Sequence, residues 1–487
     1  LCPSFLLVKL RLTATDKGQR TKDEGQMKLE GKKTLVLGAG KSGVGAARFL
    51  AQRGATVALH DKKPVEDWSE EARSLKTEKI GLISGELPSW LLDQIDLVVI
   101  SPGVPTNSIP ARYVERKDGE VIGEVELAYR FTKGKIVGIT GSNGKTTTTT
   151  LIGEILKNAG IETQVGGNIG TPLISLAESS TDENWTVVEL SSFQLETIKD
   201  FRPNVAVALN VTPNHLDRYD FFSDYAAAKH RLLMNQTADD VAILNADDEI
   251  TASWANGLKA KVVLFSVKKE LDEGLFLRGR DLICRANGAE KVLTTRDEIF
   301  LRGRHNVENV LASFAAGLAG GASPDSIRET VKNFKGVEHR IEFVAEIEGV
   351  KFYNDSKATS VDATLKALEA LGEGGGKTIL ILGGRGKNAL YQPLAELIEK
   401  SVRKLVLIGE DADNIESQLK NHAEIVRAEN MQDAVKKSFY SAESGDAILL
   451  APACASFDMF KSYEERGAIF KTEVLNFNFK ARKGEAR

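Results

Sequence analysis

The alternation of short apolar runs with stretches of helical periodicity predicts an α/β protein along most of the chain. The clearest unit starts with a β-branched run at residues 135–140, which predicts a strand. Gly141 and Gly144 follow in a turn, because glycine adopts backbone angles that other residues resist. A helix follows Lys145, and its buried face should carry Leu151, Ile152, Ile155, Leu156 and Ala159. Gly160 suits the end of that helix.

The turn between this strand and this helix has the residues of a phosphate-binding loop. Backbone N–H groups at a helix N-terminus attract anions, and the helix dipole adds to the effect. Lys145 would supply positive charge to the terminal phosphates, and the Thr146 hydroxyl can ligate a phosphate-bound Mg²⁺. Ile139 stands where a strict Walker A motif has glycine, so the match is to a variant, Thr-Gly-x-x-Gly-Lys-Thr. The alternative is a glycine turn that binds nothing.

Residues 27–123 predict a separate α/β unit of the dinucleotide-binding type. A strand at residues 33–37 leads into a Gly-x-Gly-x-x-Gly motif at residues 38–43, and a helix and a second strand follow. Asp61 comes 18 positions after Gly43 (61 − 43), near the spacing of dinucleotide folds. This pattern places a pyrophosphate at the helix N-terminus without specifying the nucleotide. Alternatively, the glycines serve only close packing of strand and helix.

Residues 124–336 should form a mainly parallel sheet around the phosphate loop, with polar residues where its strands end. The strands are predicted at residues 185–190, 205–211 and 241–244. Glu189 is a natural Mg²⁺ ligand or the neighbour of a helix cap, and His215 is either a ligand or a structural histidine. Residues 275–302 alternate like an antiparallel meander, and a helix follows at residues 306–319.

Residues 337–487 predict a third α/β unit. A hairpin at residues 340–353 precedes a segment at residues 354–359 that should open a helix. Near-continuous apolar runs predict buried parallel strands at residues 378–382, 404–408 and 447–450. We interpret Cys454 as a packing residue, because small residues surround it. The whole pattern predicts an N-terminal Rossmann-like domain, a central P-loop ATPase-type domain and a C-terminal Rossmann-like domain.

Composition and charge narrow the function classes. The chain has 487 residues, 42% of them hydrophobic, enough for three domains of about 150 residues each. A net charge of −4 without a basic footprint argues against nucleic-acid binding. Three scattered cysteines favour a reducing, cytoplasmic compartment. No apolar run approaches the roughly 20 residues of a membrane helix, so we expect no membrane partner. We predict that residues 1–26, before Met27, are a leader outside the native fold.

Several stretches resemble the Mur ligases, which build bacterial cell-wall precursors. The resemblance covers essentially everything from Met27 onward, and its marks are the stretches at residues 138–147, 210–217 and 303–306. The D-glutamate-adding members are the most similar, through residues 191–195, 354–359 and 451–456. The Asp-Asn-Pro-Arg motif of the diaminopimelate-adding members is absent, as are the paired histidines of the alanine-adding members. Folylpolyglutamate synthetase shares the phosphate loop but lacks the glycine motif at residues 38–43.

The resemblance implies binding residues for three small-molecule substrates. The ATP-binding residues would be Gly141, Ser142, Asn143, Gly144, Lys145, Thr146, Thr147, Asn306, Asn309, Arg340 and Asp355. The residues for UDP-N-acetylmuramoyl-L-alanine would be Gly40, Lys41, Ser42, Asp61, Lys62, Ser101, Gly103, Asn168 and Ser191. The D-glutamate pocket would hold Thr359, Lys387, Ser456, Phe457 and Tyr463, with Lys357 beside them.

The resemblance also implies two Mg²⁺ ions and a modified lysine. The metal ligands would be Thr146, Glu189, His215 and Lys229, and the catalytic residues Lys145, His215, Lys229 and Lys357. Lys229 matches a lysine that family members carry as a carbamate. A carbamate would turn a cation into an anion able to hold the second Mg²⁺. Without the resemblance, Lys229 would be interpreted as a solvated helix residue.

The implied reaction is ATP-dependent formation of an amide through an acyl phosphate, in the cytoplasmic synthesis of peptidoglycan precursors. We expect a monomer whose third domain closes on ligand binding. One rival is another Mur-type or folylpolyglutamate-type ligase. A second is an NAD-dependent dehydrogenase, which leaves the Lys145 loop unexplained. A third is a non-catalytic P-loop switch, whose slow ATP turnover would ignore D-glutamate.

Overall fold

The protein contains three mainly parallel sheets with helices packed on them, within the part of the chain that a computed structural model describes. That part comprises residues 27–106, 108–115, 119–212, 218–301, 303–372, 376–386 and 389–482. The predicted α/β class is therefore confirmed. The described residues fall into two compact units, the first from Leu1–Ile299 and His305–Asn333, the second from Phe300–Arg304 and Phe334–Arg487. The domain boundaries at residues 123 and 336 stay predictions, and the leader lies outside the described residues.

The first sheet has five parallel strands in the order β3-β2-β1-β4-β5 among the described residues. The strands are β1 (Lys33–Leu37), β2 (Thr56–Asp61), β3 (Gly81–Ser84), β4 (Leu97–Ile100) and β5 (Glu120–Gly123). The helices are α1 (Lys41–Gln52), α2 (Glu70–Ser74), α3 (Ser89–Leu92) and α4 (Ile109–Glu115). The strand order reverses between β1 and β4, so a crevice opens at their carboxyl ends, where parallel sheets bind ligands.

The glycine motif after β1 brings α1 unusually close to the strand. A Cβ atom on Gly43 would lie 1.8 Å from the carbonyl oxygen of Gly38. Gly38 itself has φ +98°, and a Cβ there would lie 2.9 Å from the Cβ of Ser101. Close packing of strand and helix therefore requires glycine at both of these positions. A Cβ on Gly40, in contrast, would meet nothing within 4 Å.

The second sheet has nine strands in the order β14-β13-β12-β11-β10-β9-β6-β8-β7 within the described ranges. Its parallel strands are β6 (Lys135–Thr140), β7 (Thr163–Gly167), β8 (Trp185–Glu189), β9 (Val205–Ala208), β10 (Val241–Asn245), β11 (Lys261–Ser266) and β12 (Gly274–Arg278). The predicted meander is confirmed in β12, β13 (Asp281–Ala286) and β14 (Ala289–Thr295), which pair antiparallel. The strand β6 lies between β9 and β8, so the carboxyl ends of these three strands adjoin.

The helices of this region include the one that follows the phosphate loop. They are α5 (Glu124–Phe131), α6 (Lys145–Asn158), α7 (Leu173–Ser179), α8 (Ser192–Leu195), α9 (Phe222–His230), α10 (Glu249–Ser253), α11 (Arg304–Gly320) and α12 (Pro324–Asn333). The predicted strand–turn–helix unit is confirmed, because β6 and α6 begin where the pattern placed them. The strand β9 ends three residues before its predicted end, because the N–H of Val211 leaves the ladder and donates to Asp248.

The third sheet has six strands in the order β15-β16-β20-β17-β18-β19 in the described part of the chain. They are β15 (Glu342–Ile347), β16 (Val350–Asn354), β17 (Thr378–Gly383), β18 (Val402–Ile408), β19 (Glu424–Arg427) and β20 (Ala447–Leu450). The helices are α13 (Val361–Gly372), α14 (Ala395–Ser401), α15 (Ala412–Leu419), α16 (Met431–Tyr440) and α17 (Tyr463–Arg482). The predicted hairpin is β15 with β16, and the three predicted strands are β17, β18 and β20.

The pattern missed five of the described strands, which are β3, β5, β7, β11 and β19. Strands β3 and β19 lie at sheet edges and are only half-buried, so their apolar alternation is weak. Strand β7 ends in two glycines, residues that are depleted in strands. The helix α13 begins at Val361, after the predicted segment at residues 354–359.

None of the helices in the described ranges combines the length and the apolarity that crossing a membrane requires.

Replacing Gly43 by alanine should destabilise the first unit by about 1–3 kcal/mol or more, because backbone would have to move to admit the methyl group. Gly40→Ala is the matched control, since that methyl group would enter open space. The measurement is the thermal unfolding midpoint of the two variants. Equal midpoints would show that α1 does not need the close approach.

Candidate active site

The loop between β6 and α6 adopts a conformation that only glycine permits. Gly144 caps α6 with φ +82° and ψ −15°, in the left-handed region. A Cβ on Gly144 would lie 2.3 Å from Oδ1 of Asn309. That oxygen also accepts a hydrogen bond from Oγ1 of Thr148 at 3.3 Å, and Nδ2 of Asn309 donates to Oδ1 of Asn306 at 3.1 Å. Asn309, predicted to bind ATP, therefore also supports the loop from behind.

The residues that follow β9 hold the other side of the loop. Oγ of Ser142 donates to the carbonyl oxygen of Thr212 at 3.0 Å and lies 3.0 Å from the Tyr225 hydroxyl. The N–H of Asn143 donates to Oδ1 of Asn210 at 2.9 Å. These bonds pin the loop between two strand ends, so its backbone is set before any ligand binds.

Two lysine side chains converge on one carbonyl oxygen of the loop. Nζ of Lys145 donates to the carbonyl oxygens of Gly141 at 2.9 Å and of Ser142 at 3.0 Å. Nζ of Lys229, on α9, donates to the same Gly141 oxygen at 2.8 Å. Lys229 is 1% exposed and lies over the ring of Tyr225, 4.6 Å from its centroid. The interpretation of Lys229 as a solvated helix residue is therefore wrong.

Burial changes the acid–base chemistry of Lys229. Loss of hydration, and then repulsion by Lys145, lower the pKa of Lys229 to about 6, although Glu189 acts in the opposite direction. At neutral pH most of this side chain is therefore an uncharged amine. Only the uncharged amine has the lone pair that an electrophile such as CO₂ requires, so the site favours the predicted modification.

Glu189 fits the predicted cation site. It ends β8, is 2% exposed, and accepts a hydrogen bond on Oε1 from Nδ2 of Asn168 at 2.9 Å. Its Oε2 is buried and has no hydrogen-bond partner among the described residues. A buried carboxylate oxygen without a partner is costly, and Mg²⁺ prefers such oxygens. Thr146 is also buried in the first turn of α6, whereas His215 lies outside the described residues.

A cleft of about 580 Å³ opens at the crevice of the first sheet. Eight of the nine residues predicted for the UDP-linked substrate line it: Gly40, Lys41, Ser42, Asp61, Lys62, Ser101, Gly103 and Asn168. The ninth, Ser191, caps α8 in a capping box, and its partner Gln194 lines the cleft instead. Sequence reasoning missed Gln194 and His60, both part of this lining.

Asp61 in this cleft is held by backbone groups. Its two carboxylate oxygens accept hydrogen bonds from the N–H groups of Ala39 at 2.9 Å and Lys63 at 3.1 Å. Burial raises the pKa of Asp61, but these two N–H groups outweigh burial and leave the pKa below its usual value. The carboxylate is thus an anion that fixes the glycine turn. Because both carboxylate oxygens of Asp61 already accept backbone hydrogen bonds, the dehydrogenase interpretation, in which Asp61 would bind a ribose, is weakened.

Arg218 is a further residue that the sequence did not reveal. Its Nη1 donates to the carbonyl oxygen of Pro102 at 3.3 Å, in the loop that lines the cleft. Its Nη2 donates to Oε2 of Glu196 at 3.1 Å, and its guanidinium lies 4.2 Å from the ring centroid of Phe193. Arg218 therefore ties the cleft loop to α8 and the residue after it. No spacing or motif in the sequence indicated this contact.

The second compact unit carries its own cluster of predicted residues. Asp355 is 7% exposed, and burial raises its pKa to about 7 although Arg340 and the N–H of Ile341 oppose the shift. Nε of Arg340 is buried and has no hydrogen-bond partner in the described part of the chain. Its neighbours His339 and Ile341 have φ +62° and +45°, angles that cost energy for residues other than glycine. Strain of this kind concentrates at functional sites.

The residues predicted for D-glutamate are only partly brought together. Nζ of Lys357 lies 5.6 Å from the ring centroid of Tyr463, and Ser456 is buried. Thr359 and Phe457 are exposed, and Lys387 lies outside the described residues. The packing interpretation of Cys454 agrees with the structure. Its thiol is 1% exposed, lies 2.9 Å from the Tyr391 hydroxyl, and has a pKa raised to about 11 by burial.

Three family models match the chain in order. They are described as Mur ligase MurD-like, N-terminal domain, over residues 32–123; Mur ligase middle domain, over residues 139–317; and Mur ligase, glutamate ligase domain, over residues 339–454. The order and spacing of these matches follow the three sheets.

Similar proteins match over nearly their whole length. The UDP-N-acetylmuramoylalanine–D-glutamate ligase of Koribacter versatilis is 46% identical over 448 residues, which cover 92% of this chain and 98% of that protein. The ligase of the same name from Solibacter usitatus is 48% identical over 450 residues, 92% of this chain and 99% of that protein.

Solved structures share the fold at lower identity. The UDP-N-acetylmuramate-alanine ligase of Thermotoga maritima aligns with a TM-score of 0.55 at 19% identity, over 91% of this chain and 99% of that one. A pseudomurein peptide ligase type C from Methanothermus fervidus aligns with a TM-score of 0.54 at 19% identity, over 91% and 100%. At this identity the likeness shows the fold alone.

The pKa of Lys229 should be visible in the pH dependence of stability. Its folded-state pKa of about 6 lies below the value of about 10.4 expected in the unfolded chain, so unfolding takes up a proton between these values. The destabilisation by Lys229 is therefore complete below pH 6, shrinks as pH rises, and vanishes above about pH 10.4. In CO₂-free buffer at pH 7, the thermal unfolding midpoint of Lys229→Met should be higher than that of the parent protein. The difference between the two midpoints should be smaller at pH 10. The exposed Lys157→Met is the control; a constant difference at position 229 would contradict the shifted pKa.

Proposed function

The chain belongs to the Mur ligase family, and we propose that it adds D-glutamate to UDP-N-acetylmuramoyl-L-alanine at the expense of ATP. The name shared by its near-full-length relatives supports this pair of substrates. We place the domain boundaries at residues 123 and 336, and propose a monomer that works in the cytoplasm on peptidoglycan precursors. Another amino acid as acceptor is the remaining alternative within the family.

One contact carries this proposal from the geometry. Asn168 lines the cleft of the first unit and donates a hydrogen bond to Glu189, at the end of the strand next to the phosphate loop. A substrate lying in the cleft with its carboxylate near Asn168 would therefore reach the edge of the loop that holds Lys145. A carboxylate that accepts a phosphoryl group from ATP has to end at that point.

The nucleotide end of the substrate would occupy the mouth of the cleft. The N-terminus of α1 and Lys41 supply positive charge to the diphosphate. The loop at residues 101–103, held by Arg218, closes the other side. Asp61 keeps the turn open by accepting the N–H of Ala39, so the diphosphate meets the neighbouring backbone N–H groups instead.

The chemistry needs two anions to approach each other. The substrate carboxylate attacks the γ-phosphorus of ATP in line, the bond to the bridging oxygen breaks, and ADP leaves. The loop N–H groups and the Lys145 ammonium neutralise the transferring phosphoryl group. The lysine must release the Gly141 and Ser142 carbonyl oxygens to do so. When bound, Mg²⁺ would supply further positive charge, and Thr146, Glu189 and His215 are the residues that we propose hold it.

Lys229 would complete that cation site as a carbamate. An uncharged amine beside Glu189 and Lys145 attacks CO₂, and the new N–C bond forms as the nitrogen loses a proton. The product is an anion that Lys145 attracts, where the protonated amine was repelled. The two-oxygen head of a carbamate is a suitable Mg²⁺ ligand.

The second compact unit would supply the amine. Lys357 and Lys387 offer positive charge to the two carboxylates of D-glutamate, and Ser456 offers a hydrogen bond. The amine of D-glutamate attacks the acyl carbon, a proton leaves the nitrogen, and phosphate departs as the amide forms. The half-buried Arg340 and the buried Asp355, which interact electrostatically beside strained backbone, are proposed to contact ATP, as is Asn306.

The proposal predicts ATP-dependent phosphate release only when both substrates are present. With UDP-N-acetylmuramoyl-L-alanine, D-glutamate should give the highest rate among a panel that includes L-alanine, L-lysine, diaminopimelate and L-glutamate. Lys145→Ala should lower the rate at least 10³-fold, because the developing charge loses its counter-charge. Lys157→Ala, at the exposed end of the same helix, should be normal. Release that ignores the UDP-sugar, or a full rate in Lys145→Ala, would refute the assignment.

The carbamate predicts chemical rescue. Lys229→Ala should be inactive, because the cation site loses an anion and gains a cavity. Acetate or another small carboxylic acid should restore part of the rate, since it can place two oxygens in that cavity. A matched addition of chloride should restore nothing. Rescue by chloride, or no rescue together with no carbamate signal in the ¹³C NMR spectrum of the folded protein in ¹³C-bicarbonate buffer, would contradict the carbamate.

A further inference from the structure

An arginine of the second compact unit is buried, and its recorded hydrogen bonds in the described part of the chain go to neutral groups, although the nearby Asp458 opposes the lowering of its pKa by burial. Arg466 lies one turn into α17 and is 1% exposed, the largest fully buried side chain among the described residues. Arginine is almost never fully buried unless paired. Its burial lowers the pKa of Arg466 to about 10, so the guanidinium remains a cation at neutral pH. Burying this cation costs free energy of folding, and other interactions of the guanidinium must offset that cost.

Neutral groups of two segments accept its hydrogen bonds. Nε donates to Oγ of Ser356 at 3.0 Å, and Nη2 donates to the carbonyl oxygen of the same residue at 2.9 Å. Nη1 donates to the carbonyl oxygen of Cys454 at 3.1 Å. Oγ of Ser356 in turn donates to the carbonyl oxygen of Tyr463 at 2.8 Å. The planar fork of arginine thus spans the two segments in one rigid geometry.

The residues on either side of these anchors are those proposed to bind substrate. Ser356 stands between Asp355 and Lys357 in the chain. Cys454 stands two positions before Ser456, and Tyr463 begins α17. The guanidinium therefore joins the three pieces of backbone that carry the proposed amino-acid pocket.

The exit of β17 packs on the same group. Gly384 has φ +137°, and a Cβ there would lie 3.2 Å from Nη1 of Arg466 and 2.3 Å from the carbonyl oxygen of Ala455. Arg466 thereby limits the residue at position 384, three positions before Lys387. The backbone at Ser356, Gly384 and Cys454 therefore approaches this one side chain.

We propose that Arg466 is a positioning residue that sets the spacing between the segments at residues 354–359 and 451–456, and so the fit of the dicarboxylic amino acid. It does not touch the substrate. The inference rests on the proposed function, because the pocket is assigned through it. The proposal predicts that loss of the planar guanidinium should weaken binding of the amino-acid substrate. Binding of the UDP-linked substrate should be unchanged, because its cleft lies in the first unit.

The test is steady-state kinetics of Arg466→Lys, which keeps the charge and loses the planar fork. The KM for D-glutamate should rise about tenfold or more, the KM for UDP-N-acetylmuramoyl-L-alanine should stay within about twofold, and kcat should fall less than the KM rises. Arg403→Lys is the matched control in the same unit, since Arg403 pairs with Asp446 at 2.7 Å and Glu443 at 2.8 Å, away from the proposed residues. It should leave all three constants unchanged.

If Arg466→Lys does not fold, a second and milder variant still tests the proposal. Ser356→Ala removes the oxygen that links Nε of Arg466 to the carbonyl of Tyr463, and it should raise the KM for D-glutamate by a smaller factor. Equal rises in the KM of both substrates, or a lower thermal midpoint with unchanged KM values, would overturn the positioning role. A parent protein that does not respond to D-glutamate would instead refute the proposed function, and this is measured first.

Discussion

A buried amine beside a buried carboxylate is the constraint on which the central site depends. Lys229 and Lys145 share the carbonyl oxygen of Gly141, and Oε2 of Glu189 has no hydrogen-bond partner in the described chain. Such an arrangement is electrostatically incomplete, because one lysine must give up its proton and one carboxylate oxygen lacks a counterpart. Phosphates, cations and a carbamate would each remove part of that deficit. The site is therefore organised for ligands that supply the missing hydrogen-bond and charge partners.

The surrounding structure keeps this cluster rigid. Asn309 presses against Gly144 from one side, and Asn210 holds Asn143 from the other. Parallel pairing of β8, β6 and β9 brings three strand ends to one edge of the sheet. Asn168 then connects this edge to the cleft of the first unit. Asn168 thus places the cleft next to the edge that carries the phosphate loop, which suits transfer of a phosphoryl group from a bound nucleotide to a bound acid.

The second compact unit follows a comparable design with different groups. Its charged groups include the half-buried guanidinium of Arg340 near the buried Asp355, and the buried guanidinium of Arg466 among neutral hydrogen-bond acceptors. Backbone strain at His339 and Ile341 flanks the first of these. Buried charge and strained backbone lower the stability of the folded state, but they fix the positions of a few segments. Such a compromise is expected where substrates must be aligned.

Periodicity and glycine placement were enough to locate β6, its turn, α6 and the three-domain α/β class, because these depend on contacts between residues near in sequence. Motif spacing indicated the glycine turn, Asp61 and the loop at residues 101–103, whereas the other residues along the cleft followed from the family resemblance. The burial of Lys229, the bridge made by Arg218 and the fork of Arg466 could not be predicted. Their partners lie from about 12 to more than 100 positions away. A polar side chain in a helix looks the same in the sequence whether it meets water or a distant carbonyl oxygen, and only the tertiary structure decides which it meets.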